Sequence, residues 1–204
     1  MFTDLLNLPI DSDRANQSDQ ILSLSNMNWS DYERLTSQEY LGYRISYYDS
    51  VITIVSPSLN HETISEVISG LIKAYCRQYN LLYFPMGSTT LKNPPKSGKE
   101  PDTSYAFEIR KNVPDLAVEV IYSSGNINDS LTKYKYLNVS EVWFWQSNKM
   151  YFYQLVEGVY IAINNSLFLS QLTPQFLVQF VNRGLTESPL IIEADFIKEL
   201  QNNL

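Results

Sequence analysis

The chain has 204 residues, which is enough for one domain with a substantial core but short for two. Hydrophobic residues make up 44% of the sequence and charged residues 18%, a balance that argues against intrinsic disorder. The single cysteine, Cys76, excludes an internal disulfide, and with only one histidine, His61, the sequence also argues against a zinc site.

The sequence gives no sign of export or membrane insertion. Residues 1–14 carry neither a basic leader nor a long apolar stretch, so they indicate no secretory signal. No apolar run elsewhere approaches the roughly 18 residues that are typical of a membrane span. We therefore expect a soluble, cytoplasmic protein without membrane contact.

The net charge of −7 argues against tight, non-specific binding to nucleic acid, because phosphate backbones attract lysine and arginine. The charges are unevenly spread, however. Residues 1–50 hold eight acids and three arginines, whereas residues 73–135 hold nine lysines or arginines and six acids. This asymmetry is compatible with a polyanionic substrate at the basic segment.

The first predicted elements in chain order are a helix and a hairpin. The helix is predicted at Trp29–Thr36, with Ser30 as its N-cap. Two strands rich in β-branched and aromatic residues, Tyr43–Tyr48 and Val51–Val55, flank a turn at Asp49-Ser50.

The clearest helix spans residues 61–79, because apolar residues recur there at three- and four-residue spacing and Asn60 can cap its start. The segments that follow show the patterns of further strands and helices. Strands are predicted at Leu81–Met86, Ser88–Leu91, Asp102–Phe107, Asp115–Tyr122, Glu141–Gln146, Met150–Leu155 and Val159–Ile163, helices at Asp129–Leu137, Pro174–Asn182 and from about Glu193 to the end, and a loop at 93–98.

These elements predict one α/β domain over residues 28–204, with a mixed central sheet, the helix at 61–79 packed on it and a helical C-terminal tail. Residues 1–27 are polar and aperiodic, and they predict an N-terminal arm. The aromatic strands at 142–160 are compatible with the edge of a homodimer and equally with an intramolecular core.

Two acids stand out in the strand Asp115–Tyr122, which is otherwise apolar on both faces and is therefore expected at the centre of the sheet. Glu119 is expensive to bury there unless it is paired or bound to a metal. Asp115 lies about 13 Å away along the strand, at roughly 3.3 Å per residue, so it is expected to cap the loop or brace the strand entrance instead.

A second carboxylate near Glu119 is expected from Asp102, which opens the preceding predicted strand just after a loop. Two carboxylates that converge across adjacent strands form a hard oxygen site of the kind that Mg²⁺ or Mn²⁺ prefers. On the residues alone an alternative stays open, in which Asp102 caps the loop and Glu119 pairs with a buried lysine or arginine.

Six stretches between Trp29 and Gln146 resemble, in their order and spacing, the restriction endonucleases of the Uma-two family, whose fold belongs to the PD-(D/E)xK nuclease superfamily. They are WSDYERL (29–35), YRISYYDSVITIVSPSLNHETIS (43–65), GSTTL (87–91), GKEPDTSYAF (98–107), PDLAVEV (114–120) and KYKYLNVSEVWFWQ (133–146). The resemblance implies a restriction-endonuclease-like fold, in which helices flank a mixed central sheet.

The resemblance also implies roles for particular residues. Asp102 takes the place of the first acid of the superfamily signature and Glu119 that of the second, so both are expected to bind Mg²⁺ or Mn²⁺. The signature's lysine position holds Ile121 here, and the helix position that the family often uses instead holds Ser130. Lys133, one helical turn further on, is expected to reach back as the third catalytic residue.

Other polar residues of the predicted helices carry weaker signals. Glu62 and Glu66 lie off the apolar stripe of the long helix, where a solvated surface is favoured over a further catalytic acid. His61 recurs in the family's pattern, and a structural hydrogen bond is favoured over catalysis. Lys135 is expected to be a solvated surface charge.

The leading hypothesis is therefore an endonuclease that uses Mg²⁺ or Mn²⁺ to hydrolyse DNA phosphodiester bonds. The alternative is a nuclease fold that has lost its lysine and is kept as a module that binds nucleic acid or protein. The acidic overall charge and Ser130 favour that alternative. Metal-dependent nicking of plasmid DNA, with Asp102→Ala as a control, discriminates between the two.

Overall fold

The computed structural model describes residues 18–37, 42–123 and 125–202, which form eleven strands and five helices. The strands are β1 (Gln20–Ser25), β2 (Arg44–Tyr48), β3 (Val51–Ser56), β4 (Tyr83–Pro85), β5 (Leu91–Asn93), β6 (Ser97–Lys99), β7 (Thr103–Phe107), β8 (Leu116–Ile121), β9 (Glu141–Gln146), β10 (Lys149–Val156) and β11 (Val159–Ile163). The helices are α1 (Trp29–Thr36), α2 (Leu59–Gln78), α3 (Ile127–Leu137), α4 (Pro174–Val181) and α5 (Pro189–Asn202).

The first sheet is antiparallel and has the strand order β1-β3-β2-β6-β5. The β2–β3 hairpin turns at Asp49 and Ser50, whose φ angles are 47° and 60°. Positive φ at both central residues is what a type I′ turn requires, so the predicted turn is confirmed.

The second sheet is mixed and has the strand order β11-β10-β9-β8-β7-β4. Only β8 and β9 pair in parallel, and α3 provides the crossover that a parallel pair requires. All six residues of β8 are buried. The central position that the apolar sequence of β8 predicted is therefore confirmed.

Apolar side chains cover both faces of this mixed sheet. Val118 and Val120 pack into a cluster with α2, α4 and α5 on one face. Ala117 and Ile121 pack on the other face with residues of α3. Because side chains alternate along a strand, Glu119 shares the α3 face with Ala117 and Ile121.

The aromatic residues of β9 and β10 contribute to the intramolecular core. The rings of Trp143 and Phe152 stack with their centres 4.1 Å apart, and both side chains are buried. For Trp143 and Phe152, the prediction of an intramolecular core is confirmed. The alternative, in which these strands form the edge of a homodimer, stays a prediction.

The segment predicted as a loop at 93–98 contains the turn of a short hairpin between β5 and β6. Its strands have only three residues each and flank two prolines, so the sequence lacks a visible strand pattern. Gly98 is required at its position, because a Cβ atom there would lie 2.2 Å from Cε1 of Tyr32. The β6 strand ends at Lys99.

The expectation of an N-terminal arm over residues 1–27 needs correction where the structure describes it. Residues 1–17 lie outside the described residues, but Gln20–Ser25 form β1, which pairs with β3 along its whole length. Leu22 and Leu24 pack against the apolar cluster beneath the first sheet. Six residues of alternating polarity were too short a pattern to indicate this strand.

The predicted helices are found, α1 with its predicted bounds and the other four with shifted ends. Asn28 caps α1 in place of Ser30, and Ser58 caps α2 in place of Asn60. The last helix begins at Pro189, four residues before the predicted start. Within the described ranges, no helix combines the length and the apolar character that crossing a membrane demands.

Candidate active site

A cleft of about 340 Å³ is lined by residues of both sheets and of α3. It contains Asp102 and Glu119 together with several basic side chains. A hollow of about 370 Å³ beside β10, β11 and α4 has no carboxylate in its lining. The concentration of ionisable groups therefore distinguishes the first cleft.

Asp102 and Glu119 face each other across the antiparallel pair β7–β8. Thr103 is the partner of Val118 in this pair, so the residue before Thr103 lies opposite the residue after Val118. The Val120 N–H donates to Oδ2 of Asp102 over 2.8 Å, which ties this carboxylate to β8. The two acids thus lie in register on neighbouring strands, as the sequence predicted.

Asp102 is held by cationic side chains. Its Oδ2 lies 3.0 Å from Nε2 of His61, although the angle falls short of a hydrogen bond, and its Oδ1 lies 3.4 Å from Nε of Arg44. Burial alone would raise the pKa of Asp102, but His61, the Val120 N–H and Arg44 together hold that pKa below its usual value. Asp102 is therefore a stable carboxylate.

Glu119 has a different environment. Its Oε2 lies 3.0 Å from Nζ of Lys99, and its Oε1 accepts a hydrogen bond from the Tyr134 hydroxyl. Burial is the main cause that raises the pKa of Glu119, and the nearby charge of Asp102 adds to it, while Lys99 and Tyr134 act in the opposite direction. The environments thus shift the pKa values of the two carboxyl groups in opposite directions.

Lys99 is a site residue that was not predicted from the sequence. It is 9% exposed, and its ammonium also lies 5.5 Å from the centre of the Tyr134 ring. The open alternative, in which a buried lysine pairs with Glu119, is realised in this contact. In the sequence, Lys99 could have been noticed as a basic residue three positions before Asp102. It lies in the cleft because β6 pairs with β2.

Lys133 lines the same cleft but lies apart from Glu119. Its ammonium donates to Oγ of Ser46 over 3.0 Å. Burial, with repulsion from Lys99, lowers the pKa of Lys133 to about 8. Ser130 lines the cleft as well, whereas Lys135 is exposed, as expected.

His61 lies between two carboxylates. Its Nδ1 is 3.1 Å from Oδ2 of Asp19, and its Nε2 faces Asp102. Burial by itself would lower the pKa of His61, but Asp102 and Asp19 outweigh it and raise that pKa to about 10. His61 therefore has the structural role that was favoured from the sequence, and it also contacts the candidate site residue Asp102 directly.

In metal-free protein, the contribution of His61 to the free energy of unfolding is expected to fall as the pH rises from 6.5 to about 10, because the folded state holds the His61 proton more tightly over this range. The contribution is complete below 6.5 and lost as the pH passes through about 10. Each pKa unit is worth about 1.4 kcal/mol, so the loss amounts to a few kcal/mol.

Urea unfolding at both ends of this range, with EDTA present, measures the effect. The wild type is expected to lose more stability than His61→Gln. A stability difference between the two proteins that stays constant with pH would contradict the assignment.

The remaining acids have structural partners or face solvent. Glu62 pairs with Arg44 over 3.1 Å, and Glu66 is exposed. Asp115 accepts a hydrogen bond from the Phe107 N–H and pairs with Lys111. The expectation that Asp115 braces the strand entrance is confirmed.

Asp102 and Glu119 offer oxygen donors for a hard divalent cation. A carboxylate has about four lone-pair sites, so both groups can accept a cation beside their present partners. Among the described residues, no group of three or more histidines, cysteines and acids has the arrangement of a metal site.

Comparisons with known proteins agree with this architecture. The family model Uma2, described as "Putative restriction endonuclease", matches residues 29–186. The chain is also similar in structure to a putative nuclease of the DUF820 group from Anabaena variabilis ATCC 29413, with a TM-score of 0.53 and 12% identity over 76% of this chain and 99% of that one. No curated protein matches the chain. The restriction-endonuclease-like α/β fold is thereby confirmed.

Proposed function

Because the chain belongs to the Uma2 family of putative restriction endonucleases, we propose that it is a metal-dependent endonuclease that hydrolyses phosphodiester bonds in DNA. The observation that carries the proposal is the pairing of Asp102 with Glu119, in register across β7 and β8, beside Lys99. Two carboxylates and a lysine in one cleft form the set of groups that such hydrolysis uses.

In this proposal Asp102 and Glu119 hold Mg²⁺ or Mn²⁺, as the sequence predicted. The ion, when bound, would polarise the scissile phosphate and lower the pKa of water. Tyr134 fixes the direction of the Glu119 side chain through its hydrogen bond. The side-chain nitrogen of Lys99 lies beside Glu119, where it balances negative charge and orients water.

Lys133 remains part of the proposed site, with a place further from the carboxylates. Ser46 holds its ammonium on the wall of the cleft, where it is suited to bind a phosphate oxygen of DNA. Arg44, His61, Lys99 and Lys133 all line this cleft. The same lining holds five acids, Asp19, Glu100, Asp102, Glu119 and Asp129, so the four basic side chains balance acidic charge in the cleft and offer donors for phosphate oxygens.

The alternative, a module that binds nucleic acid or protein without cleaving it, is favoured by one observation. Both carboxylates already have basic partners, Asp102 with His61 and Arg44 and Glu119 with Lys99. A cation has to compete with these partners, which weakens its binding.

Nicking of supercoiled plasmid tests the proposal. The wild type is expected to nick DNA with Mg²⁺ or Mn²⁺ and to lose this activity in EDTA. Asp102→Ala is expected to reduce the rate by about a hundredfold or more, because the carboxylate that holds the ion is gone. Binding of DNA without any nicking, in both metals and in both proteins, would favour the alternative.

A further inference from the structure

Asp19 is a buried carboxylate that lies ten residues before the segment that the family model matches. Its side chain is 2% exposed. One carboxylate oxygen lies 3.1 Å from Nδ1 of His61, and the other accepts the N–H of Ser58 over 2.9 Å. Asp19 therefore binds the N-terminal end of α2 and the first ring nitrogen of His61 at once.

His61 connects Asp19 to Asp102 through its two ring nitrogens. The two ring nitrogens are part of one rigid plane, so a partner that fixes Nδ1 also fixes the direction of Nε2. Nε2 lies 3.0 Å from Oδ2 of Asp102, the same oxygen that accepts the Val120 N–H. Asp19, His61 and Asp102 form one continuous line of contacts.

The strand that follows Asp19 also belongs to the cleft. Ile21 and Ser23 of β1 line it, and β1 is held by its pairing with β3. The N–H of Asp19 donates to Oγ of Ser123 over 2.8 Å, and Ser123 comes just after β8, which carries Glu119. The segment from Asp19 to the end of β1 thus joins the two walls of the site.

We propose that Asp19 is a positioning residue that fixes the carboxylate of Asp102 through His61, so that β1 completes the site from outside the family-matched segment. This inference rests on the proposed function for its effect on cleavage. Without Asp19, the His61 ring loses its anchor and Asp102 keeps only the Val120 N–H and Arg44 as guides.

Steady-state plasmid nicking with Mn²⁺ tests the effect on cleavage. Asp19→Ala is expected to lower kcat by about tenfold to a hundredfold, the usual cost of losing a partner that orients a metal ligand, with KM for DNA changed by less than about twofold. Asp19→Asn, which keeps the shape of the side chain, is expected to fall between Asp19→Ala and the wild type.

Asp31→Ala is the matched control. Asp31 also accepts a backbone N–H at a helix start, that of Asn28 at α1, but it does not touch His61. The Asp31→Ala substitution is expected to lower the melting temperature while leaving kcat within about twofold of the wild type. An equal fall of kcat in Asp31→Ala and Asp19→Ala would reduce Asp19 to a residue that only stabilises the fold.

The amide N–H of Val120, observed by NMR in EDTA, reports on Asp102 without DNA or metal. Asp19→Ala is expected to shift this signal and the ring signals of His61, the chain's single histidine, while Asp31→Ala leaves both in place. Unmoved signals in a folded Asp19→Ala protein would overturn the positioning role. If the signals shift but the wild type cuts no DNA, the proposed function fails and the positioning role stands.

Discussion

Replacement of Lys99 by methionine is expected to reduce plasmid nicking by about a hundredfold or more, whereas Lys133→Met is expected to reduce it by no more than about tenfold. The effects are expected to differ because the Lys99 side-chain nitrogen lies 3.0 Å from Glu119, whereas that of Lys133 donates a hydrogen bond to Ser46. Initial nicking rates at saturating Mn²⁺ measure both effects under one condition.

Stability has to be measured in the same series. Removing one partner of a buried ion pair costs about 3–5 kcal/mol, so Lys99→Met is expected to melt at a lower temperature than the wild type. Lys99→Arg keeps a positive charge beside Glu119 and is expected to retain measurable nicking. Loss of nicking in Lys133→Met but not in Lys99→Met would restore Lys133 as the third catalytic residue that was expected to reach back in place of the family's lysine.

The sequence predicted the carboxylates because their signals are local. An acid inside an otherwise apolar strand is costly to bury, and this marked Glu119 from β8 alone. Asp102 opens the preceding strand of an antiparallel pair, and the short connection between the two strands places it opposite Glu119. Alternation and strand order were therefore enough to place the two residues opposite each other, whereas their assignment as metal ligands came from the resemblance to the Uma-two family and stays a prediction.

The positions of Lys99, Asp19 and Lys133 depend on contacts between distant segments of the chain. Lys99 enters the cleft because β6 pairs with β2, a partner some fifty residues earlier in the chain. Asp19 meets Ser123 across 104 residues. Lys133 was assigned by helical spacing, but Ser46 on another element determines where its ammonium lies. No periodicity within a single segment contains such information.

Replacement of Glu119 by glutamine is expected to abolish both nicking and stabilisation by metal. At a Mn²⁺ concentration about a hundred times the dissociation constant, binding stabilises the folded wild type by about 2.7 kcal/mol. This corresponds to a rise in melting temperature of roughly 5–10 °C for a chain of this size. Glu119→Gln loses one of the two carboxylates and is expected to show no such rise.

Asp115→Asn is the matched control for this variant. Asp115 is also a buried acid with a lysine partner, and it lies next to the same strand, but it is absent from the lining of the cleft. Its baseline melting temperature is expected to fall, with the full increment by Mn²⁺ preserved. An equal increment in Glu119→Gln and the wild type would remove Glu119 from the metal site.

The location of the bound metal tests the proposed site most directly. Crystals of the wild type grown with Mn²⁺ and measured at a wavelength where manganese scatters anomalously give the position of the ion. We expect one peak about 2.0–2.6 Å from carboxylate oxygens of both Asp102 and Glu119. A peak on only one of them or outside the cleft, or carboxyl groups more than about 8 Å apart, would contradict a metal site built from this pair.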